Sequence, residues 1–101
     1  DASVIFVGES HGETPKAYWG GFGASKAALN YLCKVAADEW ERFGNLRANV
    51  LVPGPINSPQ RIKSHPGEAG SERKSYGDVL PAFVWWASAE SKGRSGEIVY
   101  L

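Results

Sequence analysis

Short apolar runs and one long helical stripe alternate along the chain. Residues 2–7 form a nearly continuous apolar run rich in β-branched side chains, and residues 48–52 and 98–101 form two further runs. Runs of this length that end at turn residues are typical of strands buried on both faces of a parallel sheet. The pattern therefore predicts strands near residues 2–7, 47–52 and 97–101.

After the first run, residues 8–18 are rich in glycine, proline and charged side chains and predict a loop. The apolar positions then recur with a helical period, every seven residues, at Phe22, Leu29, Ala36 and Phe43. Gly44 follows directly and suits a left-handed helix end. We therefore expect a long helix over residues 21–43.

A last helix is expected over about residues 78–90, where apolar side chains lie three and four positions apart. Pro81 is acceptable there only if the helix begins near Asp78, because N–H groups of the first turn have no partner within the helix. Earlier, Ser58 followed by Pro59 predicts the start of a short helix. It would lie in a polar stretch that continues to Ser75.

The predicted order is strand, helix, strand, helix, strand. Such alternation favours right-handed crossovers and a parallel sheet flanked by helices, which is an α/β fold. With 101 residues the chain forms one domain at most.

Composition excludes several functional classes. Eleven basic residues balance eleven acidic ones, so no charge bias points to nucleic acid as a partner. The longest apolar runs, about six residues, are too short to cross a membrane. Cys33 is the single cysteine and no signal peptide is visible, so we expect a cytoplasmic protein without disulfides. His11 and His65 have no cysteine at ligand spacing, so we expect no metal site.

Two motifs resemble a known family. Residues 21–29 (Gly-Phe-Gly-Ala-Ser-Lys-Ala-Ala-Leu) resemble the active-site helix of short-chain dehydrogenases/reductases, usually Tyr-x-x-x-Lys followed by small residues. Residues 50–58 (Val-Leu-Val-Pro-Gly-Pro-Ile-Asn-Ser) resemble the later Pro-Gly turn of that family. The final helix and the strand that begins near residue 95 also fit the family's C-terminal end. Essentially the whole chain is covered.

The resemblance implies the C-terminal half of a Rossmann-type doubly wound parallel sheet. Residues 1–101 would form one partial domain of an NAD(P)-binding fold. The glycine-rich turn that receives the cofactor pyrophosphate would lie upstream of Asp1. We therefore expect a fragment of a longer protein.

In the family, a tyrosine gives its proton to the substrate carbonyl as hydride arrives. A lysine four residues later lowers the pKa of the phenol and holds the nicotinamide ribose, and a serine orients the carbonyl oxygen. By this resemblance, Lys26 is retained, Phe22 stands at the tyrosine position and Glu9 at the serine position. Two of the three catalytic roles would be lost.

Other interpretations of these residues stay open. Phe22 could be a core aromatic residue on the apolar stripe of the helix, and Lys26 could be a solvated lysine. Glu9 could be a loop carboxylate or could form an ion pair with Lys26. Tyr18 would be a substitute acid one turn before Phe22 if the helix extended back. His11 fits a loop residue better than a base.

The resemblance also implies that Lys26, Pro53, Gly54, Ile56 and Ser58 contact the nicotinamide end of NAD or NADP. The Pro53-Gly54 turn and Ser58 could equally end a strand and cap a helix. Residues 61–74 would form a solvated excursion, in the region that closes over substrate in the family. The cofactor site would be incomplete within this chain.

Three functions remain at this point: a catalytically impaired oxidoreductase fragment, a non-enzymatic dimerisation or interaction module derived from the same fold, and an enzyme with changed catalytic roles. The expected partner is the missing N-terminal half or a second copy bound through helix 21–43. The first strand would otherwise present an unpaired edge. We expect neither a nucleic-acid nor a membrane partner.

Overall fold

Three parallel strands alternate with helices in the computed structural model, which describes residues 1–71 and 73–101. The elements are β1 (Ala2–Val7), α1 (Gly20–Trp40), β2 (Leu46–Val52), α2 (Pro59–Ser64), α3 (Tyr76–Ala87) and β3 (Ile98–Tyr100). The predicted α/β class and the predicted order of the main elements are confirmed.

The sheet has the order β1-β2-β3, with β2 in the centre. β1 pairs with β2 in parallel from Ala2 opposite Leu46 to Val7 opposite Leu51. β2 pairs with β3 in parallel from Val50 opposite Ile98 to Val52 opposite Tyr100. All strands therefore end at the same edge of the sheet.

The core lies on both faces of β2. Ala48, Val50 and Val52 pack with Cys33 on the side of α1. Leu51 is fully buried at an alternate position of the strand, so it points to the opposite face. Burial on both faces fits the apolar run Val50–Val52, whereas the first half of β2 also carries two buried polar residues, Arg47 and Asn49.

A buried side-chain amide connects β2 to the turn before β3. Asn49, in the middle of β2, donates from Nδ2 to the Arg94 carbonyl at 2.9 Å and accepts at Oδ1 from the Glu97 N–H at 3.0 Å. Both ends of the amide are satisfied, as a fully buried polar group requires. Asn49 therefore holds the turn that leads into β3.

The ends of two helices differ from the prediction. α1 ends at Trp40, and Glu41–Phe43 form a separate 3-10 turn before Gly44, whose φ of 71° confirms the left-handed end. The predicted helix 21–43 thus begins one residue after the observed α-helix and ends three residues beyond it.

α3 begins at Tyr76, because Ser75 Oγ accepts from the Asp78 N–H while the Asp78 carboxylate accepts from the Ser75 N–H. The expected start near Asp78 was therefore wrong, and Pro81 lies in the second turn. The helix ends at Ala87, since Ser88 is extended and starts a 3-10 turn at Ala89–Ser91.

Within residues 1–71 and 73–101, no helix combines the length and apolar character that crossing a membrane requires. The same residues contain no group of three His, Cys, Asp or Glu side chains placed to hold a metal ion.

Candidate active site

A cleft of about 400 Å³ opens at the carboxyl ends of β1 and β2. This edge is where open parallel sheets bind their ligands. Its lining includes every residue that the family resemblance singled out, namely Glu9, Phe22, Lys26, Pro53, Gly54, Ile56 and Ser58. A second hollow of about 470 Å³ lies at the opposite, amino edge of the sheet and contains none of these residues. The carboxyl-edge cleft is therefore the candidate site.

Phe22 and Lys26 lie one helical turn apart on α1 and both face the cleft. Lys26 Nζ is 5.8 Å from the centroid of the Phe22 ring and donates to the Val7 carbonyl at 3.4 Å. Phe22 is 39% exposed. It is therefore a wall of the cleft, and its interpretation as a core aromatic is wrong.

Glu9 caps the 3-10 turn Ser10–Gly12, which follows β1. Its Oε1 accepts from Ser10 Oγ at 2.8 Å and lies 4.0 Å from His11 Nδ1. The ion pair considered between Glu9 and Lys26 does not form, because Lys26 turns to the Val7 carbonyl. Instead, Glu9 and His11 lie side by side in the cleft.

Two glycines bring this turn directly against α1. A Cβ atom on Gly23 would lie 2.9 Å from the His11 carbonyl oxygen, and one on Gly12 would lie 3.0 Å from the Lys26 carbonyl carbon. Real Cβ atoms essentially never come closer than 3.0 Å to another atom, which excludes a side chain at Gly23, and the contact at Gly12 would be tighter than nine in ten real ones. Glycine at both positions therefore allows His11 to reach the cleft beside Phe22.

Four rings form what we call the aromatic cluster: His11, Trp19, Phe22 and His65. Ring centroids lie 5.6 Å apart for Trp19 and His11, 5.6 Å for Trp19 and Phe22, and 5.5 Å for Trp19 and His65. His11 also meets Phe22 edge-on at 6.4 Å. Trp19 therefore joins the α1 side of the cleft to the C-cap of α2.

Sequence reasoning missed Trp19 and His65 as cleft residues. The available signal for Trp19 was an aromatic side chain three positions before Phe22, but its contact with His65 depends on the chain path. Tyr18, considered as a substitute acid, is fully exposed, has a φ of 70° and precedes α1. It does not line the cleft. The idea that it lies one helical turn before Phe22 is wrong.

An arginine-carboxylate cluster holds the segment that follows α2. Glu68 accepts from Arg61 Nε at 3.0 Å and from Arg73 Nε at 2.8 Å, while Arg73 also donates to the Glu68 carbonyl. The hydrogen bond from Arg61, followed by that from Arg73, lowers the pKa of Glu68 to about 2. Because Arg61 also lines the cleft, the cluster ties this segment to the site.

The turn after β2 is held by Lys74. Its N–H donates to the Pro55 carbonyl and its carbonyl accepts from the Asn57 N–H, both at 2.8 Å. Lys74 Nζ donates to the carbonyls of Pro53, at 3.3 Å, and Leu101. Ser58 Oγ then accepts from the Arg61 N–H at 3.2 Å, which confirms the predicted helix start. The Pro53-Gly54 turn is thus a fixed rim of the cleft.

Comparison with known proteins gives the family. The sequence profile described as short chain dehydrogenase matches residues 1–69. The chain belongs to this family of dehydrogenases.

One relative is the uncharacterized oxidoreductase YciK of Escherichia coli strain K12, which is 31% identical over 94 residues, or 93% of this chain and 36% of that protein. Among solved structures, a short chain dehydrogenase from Salmonella enterica serovar Typhi superposes with a TM-score of 0.90 at 28% identity, covering 97% of this chain and 40% of that one. One from Shigella flexneri, complexed with NADP, gives 0.89 at 30% identity, covering 97% and 40%. The chain thus spans well under half the length of these relatives.

Proposed function

We propose that the chain is the C-terminal part of an NAD(P)-dependent short-chain oxidoreductase whose carbonyl reduction is impaired. The observation that carries this proposal is the Phe22–Lys26 pair in the cleft, with a phenyl ring where the family places a phenol. Membership of the family and a relative complexed with NADP support the reaction class and the cofactor.

The cleft residues fit the nicotinamide end of such a cofactor. Lys26 Nζ makes one long hydrogen bond, at 3.4 Å, so its other N–H groups are free to bind the ribose hydroxyls. Ser58 uses its oxygen as a helix cap and keeps its hydroxyl proton for a carboxamide oxygen. Pro53, Gly54 and Ile56 form the rim beside the ring. The bound cofactor supplies hydride to the substrate carbonyl carbon.

Proton delivery is the impaired step. Phe22 has no ionisable proton, so the oxygen that becomes an alcohol must take its proton from water or from another group. Glu9 is an acceptor when ionised and cannot donate a hydrogen bond to the carbonyl oxygen as the family serine does. Lys26 remains and keeps its ribose-binding role. The protein therefore still binds the cofactor, although it turns over slowly.

The cofactor site needs residues that these 101 do not supply. Within residues 1–71 and 73–101, no glycine-rich turn leads directly from β1 into a helix, because the glycines that open α1 at Gly20 follow a loop. We propose that an upstream half carries the pyrophosphate and adenine sites and pairs with the free edge of β1. That edge has no partner strand within the described residues.

A second candidate is a non-enzymatic interaction module. The favouring observation is the outward side of α1, where Tyr31 is 70% and Leu32 is 58% exposed. Large apolar side chains exposed on one helix are typical of a contact surface. A second copy of the chain bound through residues 21–43 would cover them.

Cofactor titration on the full-length natural protein separates the two candidates. The oxidoreductase proposal expects saturable NADPH or NADH binding that Lys26→Ala weakens and Lys34→Ala, a lysine of the same helix outside the cleft, does not. It also expects slow turnover with a panel of carbonyl compounds. Absence of any saturable binding would leave the interaction module.

A further inference from the structure

The aromatic cluster lines the cleft beside the position at which a carbonyl substrate would react. Phe22 is the most exposed of its four rings, while His11, Trp19 and His65 are half-buried. Trp19 contacts the other three rings with centroids 5.5 to 5.6 Å away, so they hold it in place. The cluster therefore presents a preformed aromatic wall with Phe22 open to the cleft.

On the β2 side the lining is apolar and complements a flat apolar group, while the charged side chains Glu9, Lys26 and Arg61 lie elsewhere in the cleft. Pro53, Pro55 and Ile56 form an aliphatic rim on the β2 side. The cleft of about 400 Å³ would hold both the nicotinamide end of the cofactor and the substrate, which leaves the part beside Phe22 and Trp19 for a small aryl group. Because residue 22 is a phenylalanine, the part of the wall nearest Lys26 carries no hydroxyl group that would bind water.

We propose that the substrates of this cleft are aryl carbonyl compounds or the corresponding aryl carbinols, with the aromatic ring packed against Phe22 and Trp19. The proposal deepens the oxidoreductase function above and rests on it for the reacting oxygen. Aromatic rings attract one another in edge-to-face and offset geometries beyond the effect of buried area. A saturated ring of the same carbon skeleton lacks that attraction, so the two differ in affinity.

The test compares acetophenone with cyclohexyl methyl ketone, which have the same ketone and the same number of carbon atoms. Dissociation constants are measured by NMR titration on the full-length natural protein. Acetophenone is expected to bind about five-fold tighter. Trp19→Leu and Phe22→Leu each reduce this preference, and the double variant abolishes it. Trp85→Leu is the matched control, since Trp85 also packs against another aromatic ring, Trp86. This variant keeps the preference for acetophenone because Trp85 lies outside the cleft.

Equal affinities in the native protein, or a preference that survives in the double variant, would overturn the proposal. Circular dichroism checks that each variant is folded, and if Trp19→Leu unfolds, the exposed Phe22→Leu decides alone. NADPH titration of the same samples without ketone separates the two ideas. A preference for acetophenone without NADPH binding supports the aromatic site and contradicts the oxidoreductase function. NADPH binding without a preference for acetophenone supports the oxidoreductase function and contradicts the aromatic site.

Discussion

Lys26 Nζ lies 5.8 Å from the centroid of the Phe22 ring, one turn away on the same helix. An ammonium near an aromatic ring gains a modest electrostatic attraction, but the ring has no proton to release. Under the proposed function, this pair would keep the cation of the family's catalytic pair and lack its acid.

Phe22→Tyr in the full-length protein should increase carbonyl reduction, because a phenol beside Lys26 restores a proton donor. General acid catalysis typically contributes about 10²–10⁴-fold, and we expect the lower part of that range because the proposed function puts Glu9 at the serine position. Steady-state kcat with NADPH is the measurement. Phe43→Tyr, an exposed change outside the cleft, should have no effect. A native rate that Phe22→Tyr does not exceed would mean that another group donates the proton.

Gly23→Ala should destabilise the protein by about 1–3 kcal/mol, because the added methyl group would meet the His11 carbonyl oxygen at 2.9 Å. Gly21→Ala in the same helix meets nothing within 4 Å and should stabilise by up to about 1 kcal/mol. Urea unfolding of both variants gives the two free energies. Stabilisation by both changes would show that the turn at Ser10–Gly12 is not packed against α1 as described.

The segment that follows α2 should loosen in acid. Hydrogen bonds from Arg61 and then Arg73 lower the pKa of Glu68 from 4.5 to about 2. A carboxyl group with a lowered folded-state pKa contributes stability above pH 4.5, and this contribution is lost as the pH falls towards 2. NMR titration of the Glu68 carboxyl and of the amides of residues 61–71 follows the change.

Glu68→Gln should loosen the same segment at neutral pH and remove the acid-induced step, because Arg61 and Arg73 then lack their shared carboxylate. Glu90→Gln, at an exposed glutamate outside this cluster, is the control and should keep the step. An acid transition in these amides that persists in Glu68→Gln would contradict the assignment.

The isolated chain should not persist as a free monomer. Among the described residues β1 pairs only with β2, and its other edge offers unpaired backbone groups beside Val4, Ile5 and Phe6. Size-exclusion chromatography with light scattering at micromolar concentration should show an oligomer or aggregate. Leu32→Glu reduces association if α1 is the contact, whereas Ile62→Glu, equally apolar and exposed, does not. A monodisperse species near 10.9 kDa with a cooperative melt would contradict this prediction.

Local patterns were enough to predict most of the fold. β1 and β2 were visible because each contains a run of apolar residues, Val4–Val7 and Val50–Val52, as strands of a parallel sheet covered by helices require. The helix cap at Ser58 and the left-handed end at Gly44 depend on neighbouring residues alone, and both are confirmed. The start of α3 was misplaced although its signal, Ser75 three residues before Asp78, is equally local.

The sequence by itself determined the α/β order. It also determined that Phe22 and Lys26, four residues apart on a helix, lie on the same face, because both conclusions follow from the periods of strands and helices. Only the tertiary structure decided that Trp19 contacts His65 and that Lys26 donates to the Val7 carbonyl and forms no ion pair with Glu9. These contacts join residues far apart along the chain, and small differences in loop path choose between them. The periodic pattern of apolar residues specifies helices and strands. A contact between two loops depends on tertiary packing, which the local pattern does not encode.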